Sequence, residues 1–455
     1  GSSFKWGGSK NEYTVFVIEP WKGGNLTMKN LNKLKNLTVL MNGKIYDSFS
    51  GNHINGNILI KNGVIQEIGK FEIPSNAEKI DCKNKIITCG FTDIHSHFRE
   101  PGREDKETLE TGSMAGLAGG FTSICVMPNT DPPLDTPEAI RFIIEKSQSM
   151  PVNIYPIGAI TKGQNGTELA ELNEMAVSGA VAISDDGIPL MNGNVMRYAV
   201  EYCKMLDIPV INHAEDDHLR SSGLMNEGSL STKLGLTGNP VIAESTMIYR
   251  DLAIAEYTGG RIHIPHVTSA QTVLLIEEFK NRGVNVTAEV TPHHLGSTEE
   301  ILKNYDTNAK VAPPLRSEKD RIALIKGLQS GIIDCIATDH APHTIEDKEA
   351  DFEMASCGMI GLESAFGLTH TVLTEAGSTT EDVINWLTIK PVKILGLPKN
   401  EIKSGCKAEI TIIDATREWV FTEKDIHSKS KNTPFLGRKF TGYIDSVISG
   451  NQIFR

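Results

Sequence analysis

Two histidines one residue apart, His95 and His97, lie in the stretch DIHSHFREPG (93–102), directly after the apolar run Ile86 to Phe91. Successive side chains on a β-strand alternate faces, so both imidazoles project to one side, close enough to grip one metal ion. A lone pair of this kind also fits two hydrogen-bonded histidines, and what decides the matter is whether other strand ends bring further ligands. Four positions do: Asp186 in AVAISDD, His213 in IPVINHAE, His266 in RIHIPHVT and Asp339 in IIDCIATDH. This mixture of nitrogen and hard oxygen donors suits one or two zinc ions with a position left open for water. Taken singly, each residue has a bland reading as a core histidine or as an Asp that caps a helix or closes a turn, and Asp185-Asp186-Gly187 has a turn's composition. Six such residues at the same end of the strand candidates favour the metal reading.

Hydrophobic period supplies the elements that must position them. Strand candidates end at His97, Asn129, near Thr161, and at Asp186, Glu215, Thr268, His294 and His340. Helix-period segments separate them, among them Thr136 to Gln148, Glu168 to Ser178, Asn194 to Leu206, Ala243 to Tyr257 and Ala270 to Arg282. Eight alternating units make an α/β fold, and a closed barrel with helices outside is its most economical form, with chemistry at the carboxyl ends of the strands. This domain is expected over 89–397. On either side, 37–88 and 398–455 carry short apolar strands and turn signals, including Asn-Gly at 42–43 and 62–63, which predict hairpins. Two β-rich ends flanking a long middle predict one small composite β-sandwich domain built from both terminal segments.

Composition bounds the function. The chain has 455 residues, 39% hydrophobic and 22% charged, in the range of soluble globular proteins. A net charge of -12 with no basic stripe disfavours nucleic acid and anionic membranes as partners. The seven cysteines are odd in number and scattered, as expected of reduced core thiols in a cytoplasmic protein. No apolar run reaches the roughly 18 to 20 residues of a membrane span. Residues 1–36 read as a tag scar or extension, because Gly1-Ser2-Ser3 is a common cleavage remnant and Met28 stands just before the first clear strand, although Val15 to Ile18 has the pattern of a short strand.

DIHSHFREPG, with GFTSICVMPNT, AISDDG, VINHAED, IPHVTS, VTAEVTPHHL, ATDHAPHT and NTPFLG, resembles the class I, bacterial-type dihydroorotases of the amidohydrolase superfamily, in order and from Leu37 onward. The resemblance implies a distorted (β/α)8 TIM barrel with the composite β-sandwich, and a zinc-dependent cyclic amidohydrolase that interconverts N-carbamoyl-L-aspartate and L-dihydroorotate in pyrimidine biosynthesis. It places one metal on His95, His97 and Asp339 and a second on His213 and His266, with Asp186 bridging where most relatives in the superfamily use a carboxylated lysine. Asp339 would also move the proton, and Asn129 and His343 would touch substrate. Arg99, two residues beyond His97, suits the substrate carboxylate that allantoin and hydantoins lack, because a guanidinium grips a carboxylate through two hydrogen bonds. Its bland alternative is a surface ion pair with Glu100, Glu104 or Asp105.

The chain departs from the family pattern at Ala312, where Asn is common, at Ser356-Cys357, where Pro-Phe is common, and at Cys89, where Pro is common. His293, His294 and His340 are left to structural or supporting roles. An allantoinase or hydantoinase, or an inactive scaffold that stabilises aspartate carbamoyltransferase, are the alternative readings. A homodimer and an association with aspartate carbamoyltransferase stay open.

Overall fold

The computed structural model describes residues 30–455; the expected strand at Val15 to Ile18 lies outside them. Eight parallel strands carry the middle of the chain: β1 (Phe91–Ser96), β2 (Phe121–Val126), β3 (Asn153–Pro156), β4 (Ile183–Ser184), β5 (Val210–Ile211), β6 (Ile262–Ile264), β7 (Val286–Val290) and β8 (Cys335–Ile336). β1 to β3 form a three-stranded sheet and β4 to β8 a five-stranded one. Parallel bridges Gly158–Ile183 and Ser96–His340 link β3 to β4 and the segment after β8 back to β1. At that second seam the buried Asp93 carboxylate accepts from the Thr338 backbone N–H (2.8 Å) and hydroxyl (2.6 Å). Every residue of β1 and β2 is buried, the pattern of parallel strands covered on both faces.

Several helices start where a side chain satisfies their free N–H groups. Thr136 caps Pro137–Ser147, Asn192 caps Gly193–Leu206, and Ser269 caps Ala270–Asn281. The stretch read as helix over Glu168 to Ser178 yields only Leu172–Val177. Its first residues instead close a loop, with Lys162 N–H donating to the Glu168 carbonyl (2.9 Å) and Gly163 and Gly166 at positive φ.

Strands from both ends of the described chain share one nine-stranded mixed sheet. Glu409–Val420 pairs antiparallel with Ile86–Cys89, which pairs in parallel with Leu37–Asp47. Leu40, Ile58, Ile87, Ile410 and Ile448 are among the buried residues of its core. Leu31–Lys33, inside the stretch expected to be an extension, pairs antiparallel with Gln452–Phe454.

The two Asn-Gly signals part company. Asn62-Gly63 joins Asn52–Lys61 to Val64–Gly69 as a hairpin. The hairpin expected at Asn42-Gly43 does not form: Leu37–Asp47 is one strand, and the pair sits at a register shift within it, with Asn42 at φ 62. A bulge uses the same left-handed tolerance as a tight turn. Gly43 is also held against Ile87, where a Cβ would lie 2.3 Å from Cδ1.

Candidate functional site

All six residues expected as ligands converge. His95 is in β1 and His97 follows it; Asp186, His213 and His266 each lie two residues beyond β4, β5 and β6, and Asp339 three beyond β8. His266 and Asp339 take positive φ values of 34° and 48°, rare for such residues and of the kind that clusters at functional sites.

Donor atoms of five of the six form two groups that share Asp186, one with His95 and His97 and one with His213 and His266, and Asp339 stands beside the first. His97 Nε2 lies 3.0 Å from Asp339 Oδ1 and 3.3 Å from Asp186 Oδ2, while His95 Nε2 lies 3.3 Å from Asp186 Oδ2 and 3.5 Å from Asp339 Oδ1. On the other side, His266 Nε2 is 3.4 Å and His213 Nδ1 3.7 Å from Asp186 Oδ1, with 3.0 Å between the two nitrogens. Ligands at zinc distances of about 2.0–2.1 Å in a tetrahedron stand roughly 3.3–3.4 Å apart, so both groups have the spacing of a shared coordination sphere. Asp186 Oδ1 is buried and without a hydrogen-bond partner, which a buried carboxylate oxygen rarely tolerates unless a cation answers it. The residues present therefore fit a divalent cation.

Buried carboxylates aim the imidazoles. His95 Nδ1–H donates to Glu289 Oε1 (2.5 Å), whose other oxygen takes His263 Nε2–H (2.9 Å). His213 Nε2–H donates to Glu215 Oε2 (2.9 Å), and His97 Nδ1–H to Asn129 Oδ1 (2.8 Å). Burial alone would push these acids up, but His95 and His263 bring Glu289 down to about 2, and His213 does the same for Glu215. Burial opposes ionisation of Asp186 and Asp339 too, and the surrounding histidines outweigh it, holding both well below the usual carboxylate range. Glu215, Glu289 and His263 were not singled out from the sequence. The available signal was an acid or histidine inside an apolar strand run, such as Glu289 in VTAEV. Glu289→Gln is expected to weaken divalent-metal affinity roughly 10- to 100-fold, read by competition with a chromophoric chelator; unchanged affinity would show that the His95 contact does not matter.

The centre opens into a cleft of about 210 Å³ lined by Arg99, Asn129, His343, Ala312, Cys357 and Arg220 besides residues of the two donor groups. Arg99 makes no pair with the acids of its own loop: Arg103 takes Asp105, Glu104 accepts from Gly102 N–H, and Glu100 from Leu109 N–H. Its Nε–H donates to the Pro342 carbonyl (3.2 Å), and burial lowers its guanidinium to about 10, so it stays charged at neutral pH. His343 Nε2–H donates to the Cys357 carbonyl (2.8 Å) while Lys106 Nζ donates to Nδ1 (3.2 Å); burial, then Arg99 and Lys106, depress its pKa and keep it neutral.

The remaining histidines stand outside the donor groups. His340 Nε2–H meets Glu107 Oε2 (3.1 Å), and His294 bridges Thr291 Oγ1 (2.7 Å) and the Pro313 carbonyl (3.1 Å). His293 is buried, and burial lowers it to about 4. The Asp185 carboxylate ties down the segment after β3, accepting from Ile160 N–H (2.8 Å) and from the Thr161 N–H and hydroxyl. Five of the seven cysteines are buried, and Cys357 at the cleft is exposed. No helix among the described residues is long and apolar enough to cross a membrane.

A family model described as dihydro-orotase-like matches residues 84–272. The dihydroorotase of Pelotomaculum thermopropionicum is 45% identical over 416 residues, 91% of this chain and 97% of that protein. The dihydroorotase of Acetivibrio thermocellus is 44% identical over 420 residues, covering 92% and 99%. Among solved structures, L-hydantoinase (dihydropyrimidinase) from Arthrobacter aurescens matches with a TM-score of 0.81 over 91% of this chain and 95% of that one; at 24% identity the likeness is one of fold.

Proposed function

The chain belongs to the dihydroorotase family, and from that premise we propose that it interconverts N-carbamoyl-L-aspartate and L-dihydroorotate at a two-zinc centre. The parallel strands linked at both seams are read as the distorted (β/α)8 barrel of residues 89–397, and the mixed sheet as the composite domain of 37–88 and 398–455. His95, His97 and Asp339 would hold one ion, His213 and His266 the other, and Asp186 both. The observation that carries the assignment is the unpartnered Asp186 Oδ1 between two donor groups of matching spacing.

Bound zinc supplies Lewis acidity and a water acidified from about 15.7 towards neutrality. The protein's own groups do the rest. Arg99, fixed through its Nε and charged, binds the carboxylate that the substrate keeps in both directions, with Asn129 and His343 beside it. Asp339 turns Oδ1 towards His97, which leaves Oδ2 to take a proton from the attacking water and pass it to the ring nitrogen as the C–N bond breaks. Ring closure runs the same path backwards, with water leaving.

A turnover assay on L-dihydroorotate, allantoin and hydantoin, with metal quantified on the same sample, tests the proposal. Expected are turnover of dihydroorotate above the other two and about two zinc ions per chain when replete. Absence of dihydroorotate turnover from metal-replete protein overturns the substrate assignment, and an inactive protein without stoichiometric metal would point to the scaffold reading instead.

A further inference from the structure

The stretch Asn432-Thr433-Pro434-Phe435 belongs to the connection between Glu409–Val420 and Lys439–Ser449, and nothing in the chemistry above uses it. That connection nevertheless reaches the wall of the cleft. Lys429 N–H donates to Glu107 Oε1 (3.0 Å), Ser428 Oγ donates to Glu107 Oε2, and Ser430 Oγ donates to the Lys106 carbonyl (2.7 Å). Asn432, 4% exposed, meets two segments of the cleft wall. Its Oδ1 accepts from His343 N–H (3.1 Å), its Nδ2 donates to the carbonyls of Ala341 (3.0 Å) and Gly358 (3.1 Å), and its own carbonyl accepts from Ile360 N–H (3.0 Å). These partners fix the amide's orientation, since the flipped form would set NH₂ against an N–H and oxygen against two carbonyls.

Asn432 thus joins the segment after β8 to the segment around Cys357, and both contribute to the cleft wall. The spacing between those segments aims His343, whose Nε2–H rests on the Cys357 carbonyl. It also bears on Arg99, whose Nε–H rests on the Pro342 carbonyl. We propose that Asn432 is a positioning residue for recognition of the substrate carboxylate: it clamps the two backbone segments that orient His343 and Arg99, without touching substrate itself. The inference rests on the reading of this cleft as the dihydroorotate site.

The test compares Asn432→Ala and Asn432→Asp in the full, zinc-replete chain. Asp is nearly isosteric and keeps the acceptor for His343 N–H, but it loses both donors and sets an anionic oxygen against two carbonyls. Both variants are expected to raise KM for L-dihydroorotate about tenfold while kcat stays within about threefold, with zinc content unchanged. Asn400→Ala is the control. It removes a comparably buried amide whose Nδ2 holds the Gly90 carbonyl (2.7 Å), outside the cleft lining, and should lower the thermal midpoint without moving KM. A lowered midpoint with wild-type KM in the Asn432 variants overturns the inference, as does a wild-type KM in Asn432→Asp alone if Asn432→Ala does not fold. Unaltered protein that fails to turn over dihydroorotate is a different failure, visible before any variant is made, and it removes the substrate reading and this inference together.

Discussion

Asp339→Asn is expected to lower kcat for ring opening of L-dihydroorotate by about 10³-fold or more, at the upper part of the range for loss of a positioned acid–base group. The substitution keeps the size of the side chain and an oxygen that can stay near His97, where Oδ1 now lies at 3.0 Å. What it removes is the second ionised oxygen and with it the capacity to take a proton. Because the neighbouring histidines hold Asp339 well below the usual carboxylate range, it is ionised throughout the neutral region and ready to act as a base. The fold should survive, since the seam between β8 and β1 is tied by Asp93 and Thr338 rather than by Asp339. Stopped assays at saturating substrate, with circular dichroism and zinc content on the same preparation, check this. Near-normal kcat in a zinc-replete variant would remove Asp339 from proton transfer.

How far the site could be read in advance depended on which interactions are local. That the six residues expected as ligands would converge was legible because each follows a short apolar run, and parallel strands place such positions on one rim whatever the detail of their helices. His95 and His97 needed only the two-residue period of β1. The acids that orient them were not visible in this way. Glu289 meets His95 across 194 residues of sequence and Glu215 meets His213 across two, yet neither has a spacing that separates it from an ordinary charged residue. Only burial shows that these carboxylates must find donors. The Asn42-Gly43 misreading has a related cause: the dipeptide specifies a left-handed backbone step, and whether that step closes a hairpin or makes a bulge is decided by the neighbouring strands, here Ile86–Cys89 packing Ile87 onto Gly43. Asn432 carries no local signal beyond its place in NTPFLG, because all its side-chain partners lie more than 70 residues earlier in the chain.

Arg99→Met is expected to raise KM for L-dihydroorotate by roughly 10- to 100-fold with a much smaller change in kcat. A hydrogen bond to a charged group is worth about 1.5–3 kcal/mol, and every 1.4 kcal/mol is a factor of ten. Met replaces the aliphatic stem and so preserves most of the packing, while the Nε–H contact with the Pro342 carbonyl and the positive charge are lost. The variant's selectivity separates this from a general loosening of the cleft. A ligand without a carboxylate gains nothing from Arg99, so any slow turnover of hydantoin should be unaffected while the preference for dihydroorotate shrinks by the same factor as its kcat/KM. His343 offers no substitute charge, because burial together with Arg99 and Lys106 keeps it neutral, and Lys106 is already committed to His343 Nδ1 and, at 2.9 Å, to Asp347. An unchanged KM for dihydroorotate, or an equal loss against hydantoin, would mean that Arg99 only props the Pro342 segment and that the carboxylate is recognised elsewhere, with Arg220 on the opposite, His213 side of the cleft the remaining cation in its lining.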